Sequence, residues 1–252
     1  MAELEAELAG ISGSRKTKNR VMTVLMGSSV LIVGIVLVLV LVTVISKGWS
    51  IVSGAFPDWF TKDIQLSPRR PGPGMKAAIV GTIVVTLVAT LIAVPLGIGG
   101  AIYLNEYGRR GKFAQILRFL TNVMAGVPSI VMGLFIFVLV VVPQGTDGLV
   151  GLSGALALAC LMLPIVVRST EEMLRLVPQN LRDASYALGG SESRTTLTVV
   201  LPKAAPGVIS GCLLAIARAA GETAPLIFTI GAAKRTNWNP FSGTNTSLSL
   251  QI

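Results

Sequence analysis

The sequence has no histidine, little charge and two cysteines, and each shortage narrows what the chain does. Without histidine, the commonest general base and metal ligand is missing. Charged residues make up only 13% of 252 positions, about half the share of a soluble domain. Cys160 and Cys212 each stand inside an apolar block, as small buried hydrophobes do, so neither a disulfide framework nor a metal site is expected. A phosphate-cradling loop is also missing. The nearest match, GISGSRKT at 10–17, has Arg15 where the last glycine belongs and no strand before it. There is no internal repeat and no second domain.

What is present is apolar sequence. Hydrophobic residues form 52% of the chain and the mean hydropathy is +0.74, gathered in long blocks rather than at amphipathic spacing. This is the signature of an all-α integral membrane protein. Lysine and arginine outnumber acids 21 to 12, a net charge of +9, but they cluster at block ends. Membrane topology accounts for that placement and nucleic-acid binding does not.

Five blocks are long enough to span: 21–46, 77–103, 117–142, 149–167 and 204–231. The first is too long for a signal peptide and lacks a cleavage pattern, so it stays as an anchor after a polar tail at 1–20. Arg15, Lys16, Lys18 and Arg20 hold that tail on the cytoplasmic side, leaving 105–112 and 168–203 inside as well. Outside fall the loop 47–76, a short turn at 143–148 and a segment at 232–252. Setting Arg168 and Arg218 aside, the three inner segments carry four lysines or arginines each, and the outer ones five, none and two. The outer loop ends in SPRRPGPG at 67–74, which predicts turns or extended chain along the membrane surface.

Several positions break the pattern of a plain apolar helix. Pro95, with Gly97, Gly99 and Gly100, predicts a kink and close helix packing. Pro128 frees a carbonyl one turn earlier, and Ser129 beside it is a donor for a polar path. Arg168 stands where apolar sequence stops. It is either a snorkelling arginine at the interface or, if the helix continues, one turned inward toward an anion.

Within LAIARAAGETAP at 214–225, Arg218 and Glu222 lie one turn apart inside the fifth block. A charge at mid-bilayer costs about 2.5–3.5 kcal/mol on insertion scales, and such residues commonly line a pathway. Pairing at i, i+4 lowers that cost, and the alternative reading is a purely structural pair. The guanidinium fork suits a phosphate-like oxyanion, and Glu222 can hold the arginine or accept a proton.

The segment LRDASYALGGSESRTTLTVVLP at 181–202 has helical spacing in two pieces, divided by Gly189 and Gly190 and restarted by a Ser191 cap. It makes a docking knob for a partner's groove. A helix lying on the membrane surface would need more aromatics than Tyr186.

This segment resembles the cytoplasmic loop of bacterial ABC importer permeases, an acidic-Ala-Ala start, a later glycine and a closing Leu-Pro. Asp183, Ala184, Gly189, Leu201 and Pro202 occupy those places, with Ser185 for the second alanine. PLGIGGAIYLNEY at 95–107, GVPSIVMGLF at 126–135 and ARAAGETAPL at 217–226 are similar to the inner-membrane permeases of the phosphate importer, closer to the PstA type.

The resemblance implies a type I (MetI-like) helical bundle in the bacterial inner membrane, importing phosphate by alternating access. It implies four partners besides membrane lipid: a second related permease subunit, two ATPase subunits and a periplasmic phosphate-binding protein. ATP and Mg would sit in the ATPases, with no cofactor in this chain. Arg168, Arg218 and Glu222 match charged positions that the family associates with phosphate passage. Such permeases have six spans and this sequence shows five, so a sixth is expected beyond Ile252. Rival readings are an importer of sulfate or molybdate, a membrane scaffold, and a phospholipid enzyme. The last lacks a histidine base and clustered carboxylates.

Overall fold

The computed structural model describes residues 13–64, 74–108 and 111–251, and the described residues hold helices and no strand. They divide into two units, Met1–Phe56 and Pro57–Ile252. Most of SPRRPGPG, the start of GISGSRKT and the first part of the polar tail lie outside the described residues.

Among the described residues, the first unit holds one helix, α1, Gly13–Gly54. It is apolar on all faces across the block at 21–46, with the basic cluster in its first turns. A helix of that kind is satisfied only in lipid.

The second unit begins with a single turn, α2, Asp58–Thr61, before α3, Lys76–Ile102. A wider π turn at Tyr103–Tyr107 extends α3, so Asn105 and Glu106, expected in a loop, are buried at the end of a helix. Next come α4, Lys112–Gly126, and α5, Ser129–Ile136, which a second π turn prolongs as far as Gln144. Then follow α6, Gly151–Arg175, and α7, Gln179–Ala187. A four-residue helix, α8, Glu192–Thr195, runs through a π turn at Thr196–Val200 into α9, Leu201–Ala220. A last turn, α10, is Leu226–Thr229.

Among the described residues, four helices are long and apolar enough to cross a membrane, or five if the bent pair of α4 and α5 counts as one. The break falls at Pro128, the helix-breaking position read from the sequence inside the third block. The two helices meet at 110°. Pro128 cannot continue α4 and starts α5 with φ −58° and ψ 140° behind it, extended geometry that stops a helix. A hydropathy window averages over this bend because both sides are apolar. In fact α4 is amphipathic, with Phe113, Ile116 and Phe119 exposed on one face and Arg118 and Asn122 on another.

The core lies mainly between α3 and α6, with α9 against α6. Val85, Ala89 and Ala93 of α3 recur every fourth residue and meet Ala155, Leu158, Met162 and Val166 of α6. Small residues let the backbones approach. A Cβ on Gly97 would lie 2.6 Å from Val166 Cγ1, so glycine is required there. Pro95 is accommodated inside a continuous α3, on an exposed position.

One open reading closes and one expectation changes. Of the two readings of Arg168, the helix does continue: α6 runs past the fourth apolar block for two more turns to Arg175. The fifth does not run unbroken to Gly231, because α9 ends at Ala220 and the chain turns through Gly221–Pro225.

The segment after Gly231 folds back over one end of the bundle. Pro240 O accepts from Leu152 N at 2.7 Å, Asn245 Oδ1 from Gly151 N at 3.1 Å, and Thr82 Oγ1 from Leu248 N at 2.9 Å. These bonds place it beside the N-terminal ends of α3 and α6. The loop before α3 joins it there: Thr236 donates its N–H to Asp63 Oδ1 at 3.1 Å and its hydroxyl to the same oxygen.

Candidate functional site

Arg218 sits in the last turn of α9, where positive charge offsets the negative end of the helix dipole. Its Nε is 3.5 Å from Glu222 Oε1, with side-chain exposures of 68% and 20%. The pair expected from sequence therefore exists, but across a helix end. Gly221 N donates to Arg218 O and Glu222 N to Ala219 O, a tight turn that leaves the helix.

The returning C-terminal segment fixes that turn. Ser249 Oγ donates to Glu222 O at 2.9 Å, and Thr223 Oγ1 to Ser249 O at 3.4 Å. Backbone that leaves a helix at membrane depth needs such partners, because lipid supplies none.

Arg168 points away from its own helix, donating from Nη2 to Asn122 Oδ1 of α4 at 2.6 Å. It lines a cavity of about 240 Å³ together with Arg118, Asn122, Glu171, Glu172 and Arg175. Glu171 Oε1 accepts from Arg118 Nε at 3.2 Å and from Arg175 Nη2 at 2.5 Å. Three arginines thus face two glutamates, an excess of one positive charge in a polar recess. The sequence pattern singled out only Arg168 here. The spacing of Arg118 and Asn122, one turn apart on the polar face of α4, was the signal available for the rest.

Ser129 is half-buried in the first turn of α5, just past the bend. It is not among the residues lining the Arg168 cavity, and neither is Arg218. Among the described residues, no group of three or more Cys, Asp or Glu is arranged to hold a metal ion.

The knob at 181–202 is partly as expected. Asp183 and Ala184 lie exposed on α7, and Gln179 Nε2 donates to Asp183 Oδ1 at 3.2 Å. Leu188 is 91% exposed at the tip. Gly189 then reverses the chain at φ +81°, a conformation side chains resist. Ser191 Oγ accepts from Arg194 N at 3.4 Å, the cap expected from sequence. Leu201 and Pro202 depart from expectation: they belong to the continuous α8–α9 rod rather than to a separate short helix. Pro202 has no N–H for the carbonyl of Thr198, and the wider turn at 196–200 absorbs the mismatch.

A buried cluster that the sequence pattern did not reveal ties this knob to the bundle. Arg182 Nη1 of α7 pairs with Glu106 Oε2 at the end of α3, the two side chains 4% and 3% exposed. Arg182 Nη2 donates to Leu174 O of α6 at 2.9 Å, and Asn105 Nδ2 to Glu106 Oε1 at 2.7 Å.

Residues 93–250 match the family described as binding-protein-dependent transport system inner membrane component. The phosphate transport system permease protein PstA of Mycobacterium leprae (strain TN) is 44% identical over 246 residues, 97% of this chain and 80% of that protein. PstA 1 of Mycobacterium tuberculosis (strain ATCC 25618 / H37Rv) is 44% identical over 94% of this chain and 76% of its own length. The PstA protein of Haemophilus influenzae (strain ATCC 51907 / DSM 11121 / KW20 / Rd) is 42% identical over 89% and 77%. Among solved structures, an inward-facing MetNI methionine ABC transporter chain aligns with TM-score 0.52 at 21% identity, covering 57% of this chain and 68% of that one. At that identity the likeness concerns the fold alone.

Proposed function

This chain belongs to the binding-protein-dependent transport system inner membrane component family, and we propose that it is a pore-forming permease subunit of an importer for inorganic phosphate. The names of its relatives supply the cargo, and the observation that carries it into the geometry is the guanidinium of Arg218. It stands at the broken end of a membrane-spanning helix, 68% exposed and engaged by Glu222 through Nε. A planar fork so presented offers two parallel hydrogen bonds to an oxyanion. Arg168 supplies a second positive charge farther along, oriented by Asn122. Ser129, at the bend of α5, adds a hydroxyl to the path.

The basic N-terminal cluster and the knob around Leu188 face the cytoplasm, and the segment at 232–251 faces the periplasm. A binding protein delivers phosphate on that outer side. Two ATPase subunits dock on the exposed surface of Asp183, Ala184, Leu188 and Gly189, and ATP with its Mg stays in them. A second, related permease subunit completes the pathway, because one chain lines only part of it. In this reading Glu222 holds Arg218 while the site is empty and releases it to phosphate.

The test is radiolabelled phosphate uptake into proteoliposomes holding the assembled complex, comparing wild type with Arg218→Gln, with sulfate and molybdate as controls. Uptake of phosphate alone, falling to background in the variant with assembly intact, is the expected result. Sulfate or molybdate uptake by the wild type would move the cargo to that oxyanion, and undiminished phosphate uptake by the variant would remove Arg218 from the path.

A further inference from the structure

The one buried residue of α7 is an arginine, Arg182, which is an odd choice for fastening a surface helix. Its neighbours on the helix, Asp183 and Ala184, are exposed. Desolvating two charges largely cancels their attraction, so a buried ion pair is a poor source of stability, and apolar side chains of similar volume often serve as well. What such a pair does provide is geometric definition. The planar fork of Arg182 reaches two helices at once, with Nη1 on Glu106 at the end of α3 and Nη2 on the carbonyl of Leu174 in α6. Asn105 holds the Glu106 carboxylate from the other side at 2.7 Å. The same α3 and α6 form the main packed pair of the bundle.

We propose that Arg182 and Glu106 form a rigid joint that carries movement of the docking helix α7 into the α3–α6 pair. They are positioning residues: neither touches the transported ion. This rests on the importer reading above. A mobile docking helix would absorb the partner's movement locally, whereas one clamped to two spanning helices passes it on. Arg182 is not part of the exposed docking surface, so its loss should leave the ATPases bound and turning over while transport fails.

The experiment uses the full complex in proteoliposomes and the double variant Glu106→Met with Arg182→Met, which replaces the pair by apolar side chains of similar length. ATP hydrolysis stimulated by the binding protein and phosphate uptake are measured on the same preparation. The joint requires near-normal hydrolysis with uptake down at least tenfold, so that ATP consumed per phosphate rises by the same factor. A merely stabilising pair would lower both in proportion to the amount assembled, leaving the ratio unchanged, and that result overturns the proposal.

Should the double variant fail to assemble, Arg182→Lys decides. A single ammonium keeps the charge but cannot span Glu106 and the Leu174 carbonyl, so the ratio should rise at least threefold; an unchanged ratio overturns the joint.

A second readout is independent of cargo. Spin labels at Asn180 of α7 and Leu96 of α3, both exposed, are introduced with Cys160→Ala and Cys212→Ala. Their separation should be the same with and without ATP in the otherwise wild-type complex and should shift or broaden in the double variant. A wild-type distance that changes with ATP refutes the joint. Wild-type complex that takes up no phosphate refutes the importer reading instead, and the distance measurement still stands.

Discussion

Arg168 Nη2 lies 2.6 Å from Asn122 Oδ1, a charge-assisted bond between α6 and the amphipathic helix α4. Without Asn122 the guanidinium loses this anchor on α4, although its charge stays. Asn122→Ala should therefore lower phosphate uptake at least tenfold, the low end of the roughly 1.5–3 kcal/mol of a hydrogen bond to a charged group. Arg168→Gln should cost more than that. Initial uptake rates in proteoliposomes check both, and equal rates for Asn122→Ala and wild type would mean that Arg168 needs no orientation.

A tight contact holds the turn after Glu222 in place. A Cβ added to Gly133 of α5 would lie 2.5 Å from Pro225 Cα and 2.9 Å from its carbonyl oxygen, so backbone has to move. Gly133→Ala should destabilise by about 1–3 kcal/mol, as overpacking does. Thermal unfolding of the detergent-solubilised complex reads this. Gly99→Ala is the control, since a Cβ there would meet nothing within 4 Å and alanine is the better helix former, so the midpoint should not fall.

Asp63 sits outside the spans, where hydrogen bonds from the Thr236 hydroxyl and N–H and the charges of Lys76 and Arg235 outweigh desolvation and hold its carboxyl below the usual 3.8. A carboxylate whose folded pKa is depressed stabilises the fold above its unfolded pKa, and that contribution fades as pH falls through the folded value. Asp63→Asn should lower the unfolding midpoint at pH 7, and the gap from wild type should narrow as acid is added below the ordinary carboxylate range. A gap independent of pH would show that Asp63 acts as a neutral hydrogen-bond acceptor.

Thr170 of α6 is fully buried, and its hydroxyl has no hydrogen-bond partner among the described residues. Thr170→Val keeps the shape and removes the unpaired polar atom, so it should raise stability by about 1 kcal/mol or more. A lower unfolding midpoint for the valine variant would show that the hydroxyl is satisfied in the assembled protein.

Composition was enough for the membrane class and for the helices α1, α3 and α6, because long apolar blocks have few other solutions. The turn and restart at 189–191 were legible too, since Gly189, Gly190 and Ser191 are local punctuation that acts within a few residues. Three features were not. Pro128 marked a break in the third block, but the 110° size of the bend is hidden by apolar sequence on both sides of it, and hydropathy has no angular term. The extension of α6 past Arg168 is obscured by charge, although a helix tolerates charge once it meets polar partners such as Asn122. Glu106 and Arg182 lie 76 positions apart, and nothing at either site announces the other. Pairing at that separation is decided by packing of α3, α6 and α7 and not by pattern.

A helix terminus presents carbonyl oxygens, so the end of α9 is intrinsically repulsive to an anion. Arg218 at that spot opposes the repulsion without abolishing it. An ion held there is attracted by a side chain and pushed by a backbone, which makes for a shallow resting point. Conduction favours shallow points, since an ion bound tightly at the centre of the membrane would not leave. On the proposed path, this arrangement would hold phosphate weakly in the permease and leave tight capture to the protein that feeds it.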